Sequence, residues 1–275
     1  IQIEENESLE NLNGLVSIKE IDLLTIKNNS SLSNIEGIKN CDKLNQFDLF
    51  GNKSLKQLPN FTNLTRINSI QFGLGASLNN LTGFENLRSI GSLILNKSDI
   101  KSLIGLENLS TIEYELKIHS NSHLRNFIGL ESLNSIGNGD YYAGMDIQNN
   151  ENLINFEGLE NLTNIYGGFR IFYNPSLHNF QGLENLMLVK EVFHLDHNED
   201  LENIDAISGI SELNTFLLEG NNTLKQLPQF NNLFSIKSIS FTQGGNLKNL
   251  KGFNALKSVE SVNLNESNLM SLEGL

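Results

Sequence analysis

Residues 149–171 read NNENLINFEGLENLTNIYGGFRI. Apolar side chains fall on every third position from Leu153 through Phe156, Leu159 and Leu162 to Ile165, then alternate at Phe169 and Ile171. Alternation of period two predicts a short strand with one face buried. The every-third spacing suits a coil that turns a corner every few residues and points each corner inward.

The same phrase recurs along nearly the whole chain. Anchored on the leucine that follows the asparagine, the repeats begin at Leu9, Leu32, Leu55, Leu78, Ile100, Leu124, Leu153, Leu177, Leu201, Leu224, Leu247 and Leu269. Most spacings are 22 to 24 residues, and the step from Leu124 to Leu153 is 29. A period in this range is the signature of a leucine-rich solenoid. Leu24/Ile26, Phe47/Leu49, Leu116/Ile118, Phe193/Leu195 and Phe216/Leu218 mark the strands. The expected fold is a strand-rich α/β-type repeat solenoid: a coil of about twelve repeats carrying one parallel sheet, with few or no long helices. Rungs about 4.8 Å apart would extend it to roughly 55 Å.

Two polar positions recur with the leucines. Asn stands three residues before the anchor at Asn6, Asn29, Asn52, Asn121, Asn150, Asn174, Asn198 and Asn221. An amide carries donors and an acceptor, so a ladder of them can satisfy turn backbone groups of its own coil and the next. Gly stands five residues after the anchor, as at Gly37, Gly83, Gly129 and Gly158, where a corner of positive φ is expected.

A longer repeat overlies the short one. Residues 55–106 and 224–275 align without a gap, with 28 of 52 positions identical, and both open with LKQLP. Pro59/Pro228 and Gly75/Gly244 depart from the other units together. The expectation is one solenoid over 1–275, duplicated at an offset of 169 residues, approximately 9–176 and 177–275. Both ends fall inside a repeat, which reads as a fragment of a longer chain.

Composition narrows the function classes. The 275 residues include 43 Asn, 3 Pro, no Trp and one cysteine, Cys41, at an apolar position of its coil where an inert core thiol is expected. The net charge of −13 argues against nucleic acid as a partner. No apolar run approaches the roughly 18 residues that span a bilayer.

The pattern N-x-x-L-x-x-[LF]-x-G-L-x-x-L-x-x-I-x-x-x-[LF]-x-I, fullest at ENLINFEGLENLTNIYGGFRI and repeated in GLENL (105–109, 182–186) and GFENL (83–87), resembles receptor L-domain-like leucine-rich repeats. The resemblance covers essentially the whole chain. It implies a right-handed, three-sided coil with a parallel sheet on one face, and a non-enzymatic extracellular role in binding or adhesion. Without disulfides, the chain looks most like the bacterial cell-surface type, or an Asn-rich eukaryotic relative. No ligand residues carry over, because the matched positions belong to the core.

Candidate binding residues come from the outward strand positions instead. The middle rows bring His119, Asp146, Arg170, Phe172, His194 and Asp196 onto adjacent strands, with Tyr173 and His197 at the edge. The insertion NGDYYAG (138–144) would project Tyr141 and Tyr142 beside Asp146 and the aromatics between Tyr166 and Tyr173. Insertions in solenoids become loops on one face, often the binding face. The alternative is ordinary variation of a solvated surface and a neutral insertion.

His194-x-Asp196-His197 is weak geometry for zinc, and neither a metal nor a cofactor is expected. HExxH, GxSxG and phosphate-loop motifs do not occur. The leading expectation is a monomeric cell-surface or secreted recognition or adhesion module that binds a protein or a glycan. A structural spacer and an intracellular protein-interaction scaffold are the alternatives.

Overall fold

Each repeat lays down one strand, leaves it through a tight turn, and returns through two corners to start the next strand alongside. The structure, a computed structural model, describes residues 1–140, 143–243 and 245–275. The strands are β1 (Gln2–Glu4), β2 (Glu20–Lys27), β3 (Lys43–Phe50), β4 (Arg66–Gly73), β5 (Ser89–Asn96), β6 (Thr111–His119), β7 (Ser135–Ile136), β8 (Gly144–Gln148), β9 (Asn164–Ile165), β10 (Gly168–Phe172), β11 (Leu188–Asp196), β12 (Glu212–Glu219), β13 (Ser235–Thr242) and β14 (Ser258–Asn263). Pairing is parallel throughout and makes one sheet. The halves β7/β8 share one rung, as do β9/β10, so fourteen strands form twelve rungs joined by about eleven turns. The whole is a single-sheet parallel β-solenoid. Helical structure among the described residues is limited to 3-10 turns at Asn13–Leu15, Glu36–Ile38, Asp205–Gly209 and Lys251–Phe253. No helix among them is long and apolar enough to cross a membrane.

The spacing of apolar residues is what closes the coil. Anchors from Leu32 to Leu247 are all buried in file along the axis, while Leu9 and Leu269 in the terminal coils are partly buried. Phenylalanines stack between coils beside them: Phe127 on Phe156 at 5.4 Å, Phe169 on Phe193 at 5.3 Å, Phe193 on Phe216 at 5.0 Å. Such pairs add specific geometry to the area they bury. Cys41 is buried in the same core, and burial pushes its thiol pKa up.

The asparagine ladder is present, and it reaches backward. Asn150 Nδ2 donates to Ile118 O at 2.8 Å and its Oδ1 accepts the Asn121 backbone N–H at 3.0 Å, both in the preceding coil. Toward the next coil it meets only its ladder neighbour, Asn174. Asn29, Asn52, Asn121, Asn174, Asn198 and Asn221 repeat the arrangement, all essentially inaccessible. The turn that precedes each ladder residue needs a left-handed backbone. Asn28, Gly51, Lys97, Ser120, Asn149, Tyr173, His197 and Gly220 all take φ between 48° and 67° there.

Other asparagines hold the corners. Asn11, Asn34, Asn126, Asn155, Asn179, Asn203 and Asn249 each accept the backbone N–H two residues on. In the GLENL phrase the glutamate accepts the N–H of the glycine two residues before it, at Gly105, Gly158 and Gly182. The asparagine of that phrase donates to a carbonyl of the preceding coil: Asn108 to Glu85, Asn161 to Glu131, Asn185 to Glu160. The phrase is therefore a polar clamp at the corners where it occurs, and many of the asparagines serve the fold.

Candidate functional site

Two side-chain rows cross the outer face of the sheet. Strand register aligns Ile94, Lys117, Asp146, Arg170, His194 and Leu217 in one row. The other row aligns Asn96, His119, Gln148, Phe172, Asp196 and Glu219. Thus His119, Asp146, Arg170, Phe172, His194 and Asp196 lie on four consecutive rungs. Tyr141 and Tyr142 lie outside the described residues.

Much of the polar chemistry is satisfied internally. Asp146 accepts from Gln148 Nε2 at 2.7 Å, and its Oδ1 lies 3.3 Å from His119 Nε2, out of line for a hydrogen bond. Lys117 Nζ pairs with Glu115 at 2.5 Å. The Arg170 guanidinium folds back over Gly168, where the absent side chain leaves it room. Burial holds the His194 pKa below its ordinary value; the charges of Asp196 and Glu219 oppose that shift, and Arg170 adds to it. A half-buried imidazole that resists protonation presents an uncharged ring on this surface.

Aromatic side chains supply the rest. Phe172 meets His194 edge-on, with centroids 4.6 Å apart. At the rim Tyr173, 49% exposed, stacks on His197, whose Nδ1 contacts Asp196. The expected grouping of Tyr166 with Tyr173 is corrected. Tyr166 precedes β10 and Tyr173 follows it, so the five residues of that strand, about 16 Å, lie between them. The extended backbone, not sequence proximity, sets that separation.

The insertion enters within a strand rather than at its end. It separates β7 from β8, and three glycines in the left-handed region, Gly137, Gly139 and Gly144, let the chain leave the sheet and rejoin it. The neighbouring rungs are irregular at the same level. On regular rungs the two inward residues flanking this level are three apart: Ile21–Leu24, Leu44–Phe47, Ile67–Ile70, Ile90–Leu93, Leu213–Phe216 and Ile236–Ile239. On rungs six to nine the spacings become four, nine, four and four: Ile112–Leu116, Ile136–Met145, Ile165–Phe169 and Val189–Phe193. Register confirms the excess, which begins as a shift between β5 and β6 and ends as one between β11 and β12.

The result is a crease across four rungs that pushes side chains outward, the usual effect of a bulge. Tyr114 is 48% and Tyr166 39% exposed along it. Lys190 stretches toward the inserted loop, so that a side chain on Gly139 would meet its Nζ at 2.9 Å. A hollow of about 250 Å³ opens between the loop and β6, lined by Tyr114, Glu115, Asn138, Asp140 and Ala143. Sequence reading passed over Tyr114 and Lys190, although the change of spacing from three to four was there to find them.

Elsewhere the larger concavity, about 800 Å³, is the uncovered end of the core at the first coil, far from these rows. Among the described residues no group of three or more His, Cys, Asp or Glu could hold a metal ion. His197 is taken up by Asp196 and the stack on Tyr173, so His194-x-Asp196-His197 does not converge on a common point.

No protein-family model and no curated protein matches the chain. Among solved structures, it is similar to a leucine-rich repeat protein from Bacteroides ovatus at 13% identity and a TM-score of 0.25, over 94% of this chain and 82% of that one.

Proposed function

We propose that the chain is a non-catalytic recognition or adhesion module, monomeric and exposed at the cell surface or secreted. It binds a protein or glycan partner through the sheet face of rungs six to nine. One observation carries this reading. The four rungs that break the three-residue spacing are the same four that present His119, Asp146, Arg170, Phe172, His194 and Asp196 outward. A solenoid selected only as a spacer has no reason to concentrate insertion, bulges, rings and charges on one segment. Aromatic and arginine side chains are also the enriched components of binding hot spots.

The test is binding of the purified chain to arrays of extracellular proteins and glycans, beside a Phe172→Ala/Tyr173→Ala variant. Neither ring belongs to the core, so the variant should keep its fold. Any partner of the native chain should bind the variant about tenfold more weakly, ~1.4 kcal/mol. Equal binding by a folded variant would move the site off this face. Location is tested separately by protease treatment of intact producing cells. Full protection of the chain there would favour the intracellular scaffold.

A further inference from the structure

We infer that a step in the sheet face at rungs nine and ten takes a lysine or arginine side chain from a basic protein segment. This rests on the docking face proposed above, extends it by one rung and names the partner. Phe172 on rung eight and His194 on rung nine meet edge-on, and Leu217 on rung ten continues the row of His194. Beyond them the face drops. Rung eleven carries Ser238, Ser240 and Thr242 in register with Thr215, Leu217 and Glu219. Ser261 and Asn263 follow on rung twelve. Small polar side chains thus form a shelf beside a raised apolar edge, and a partner backbone can rest on it.

Charge stands at the end of that edge. Asp196 and Glu219 are register partners on neighbouring rungs, about 4.8 Å apart, and like charges so placed repel. His197 Nδ1 contacts Asp196. The half-buried Glu219 carboxylate has no hydrogen bond or ion pair among the described residues. The Arg170 guanidinium lies back over Gly168, at the start of β10 rather than at its end. His194 offers an uncharged ring, because burial lowers its pKa.

A cationic side chain complements both parts. Lysine and arginine lay apolar stems along apolar surface and keep the charged end in polar surroundings. Leu217 and Glu219 are two residues apart on one strand, about 6.6 Å, which a lysine stem spans. The stem crosses Leu217 beside the Phe172–His194 pair, and the charge meets Glu219 with Asp196 adding to the attraction. A neutral sugar leaves the repulsion between the two carboxylates uncompensated, and an acidic segment increases it. The net charge of −13 steers a basic partner toward the face from a distance.

The probes are three dye-labelled peptides of equal length: alternating serine and lysine, the same peptide with every lysine acetylated, and alternating serine and glutamate. Binding is read by fluorescence anisotropy at physiological salt. Acetylation keeps the stem and removes the charge. The lysine peptide should bind, and the other two about tenfold more weakly or worse. Glu219→Gln and Leu217→Ala should each weaken it about threefold or more. Glu151→Gln makes the same change of charge at an exposed position of another coil and should leave binding as it was, which separates the step from the general attraction of an acidic chain. All variants are first checked for unchanged melting. If the lysine peptide binds no better than its acetylated form, or Glu219→Gln behaves as Glu151→Gln does, the inference is overturned. The Phe172→Ala/Tyr173→Ala variant separates the two proposals. An array partner that needs Phe172 and Tyr173 but is a glycan or an acidic protein overturns the cationic subsite and leaves the docking face standing. A lysine peptide that needs Glu219 and Leu217, with an array partner indifferent to Phe172 and Tyr173, supports the subsite and overturns the wider docking face.

Discussion

Tyr173 stacks on His197 with ring centroids 5.2 Å apart and planes 21° from parallel. Beyond His197 the imidazole rests on Gly220, whose φ is +63° and where a side chain would meet the ring at 2.7 Å. The position 169 residues earlier repeats the device with smaller groups: Asn28 lies over Gly51, φ +67°. Gly220→Ala combines a left-handed backbone, costing about 1–2 kcal/mol for a residue with a Cβ, with displacement of His197. Chemical denaturation should show a loss of about that size. Tyr173 fluorescence should change with it, because the ring loses its neighbour. A variant of native stability would mean that the ring moves aside at no cost.

The ladder gives a sharper contrast between two asparagines of one coil. Asn150 is fully buried and serves Ile118 O and the Asn121 N–H. Asn152 is exposed and donates to Ser122 O at 2.7 Å. Asn150→Ala strands buried backbone groups and should cost about 1–3 kcal/mol, whereas at Asn152 water replaces the lost partner and the cost should stay under ~0.5 kcal/mol. Equal effects in thermal melting would show that burial does not govern the ladder.

The corner clamp predicts a role for a surface glutamate that ordinary reasoning would call dispensable. Glu160 is exposed, yet its Oε1 accepts the Gly158 N–H at 2.9 Å in a corner where φ is +102°. Glu160→Ala should cost about 1 kcal/mol, and Glu151→Ala, exposed in the same coil, close to nothing. The measurement is the denaturant midpoint of each; identical midpoints would remove the clamp from the account of the corner.

What the sequence made legible follows the strength of the physical constraint. The anchors and the strand pairs Phe169/Ile171 and Leu116/Ile118 are apolar and periodic, because each must find the core, so architecture could be read directly. Asn150 was legible as a ladder member, but its direction was not, since an amide can reach either way until the coil's geometry is known. The rows holding Asp146, Arg170 and His194 followed from alternation alone. Tyr114 and Lys190 were missed because a bulge adds one residue without altering composition, and only spacings such as Ile112–Leu116 and Val189–Phe193, set against Ile90–Leu93, betray it. Tyr166 was misplaced because nearness in sequence is distance along an extended strand.

The last prediction concerns acid. His194 lies between Arg170 and Leu217 in its row, with Phe172 against its edge and Asp196 and Glu219 nearby. Burial is the largest influence and lowers its pKa from 6.5. The unfolded chain therefore takes up the proton more readily than the folded one. Above about pH 6.5 both states are neutral at this residue and it costs nothing; as the pH falls below that value, the unfolded state gains the proton first and stability drops. Unfolding free energies at about pH 7.5 and about pH 5.5 should thus fall more for the native chain than for His194→Gln, which has no proton to take up. If the gap between the native chain and His194→Gln is the same at both pH values, His194 is protonated as easily in the fold as out of it. The imidazole would then be a solvated charge on this face rather than a buried ring packed against Phe172.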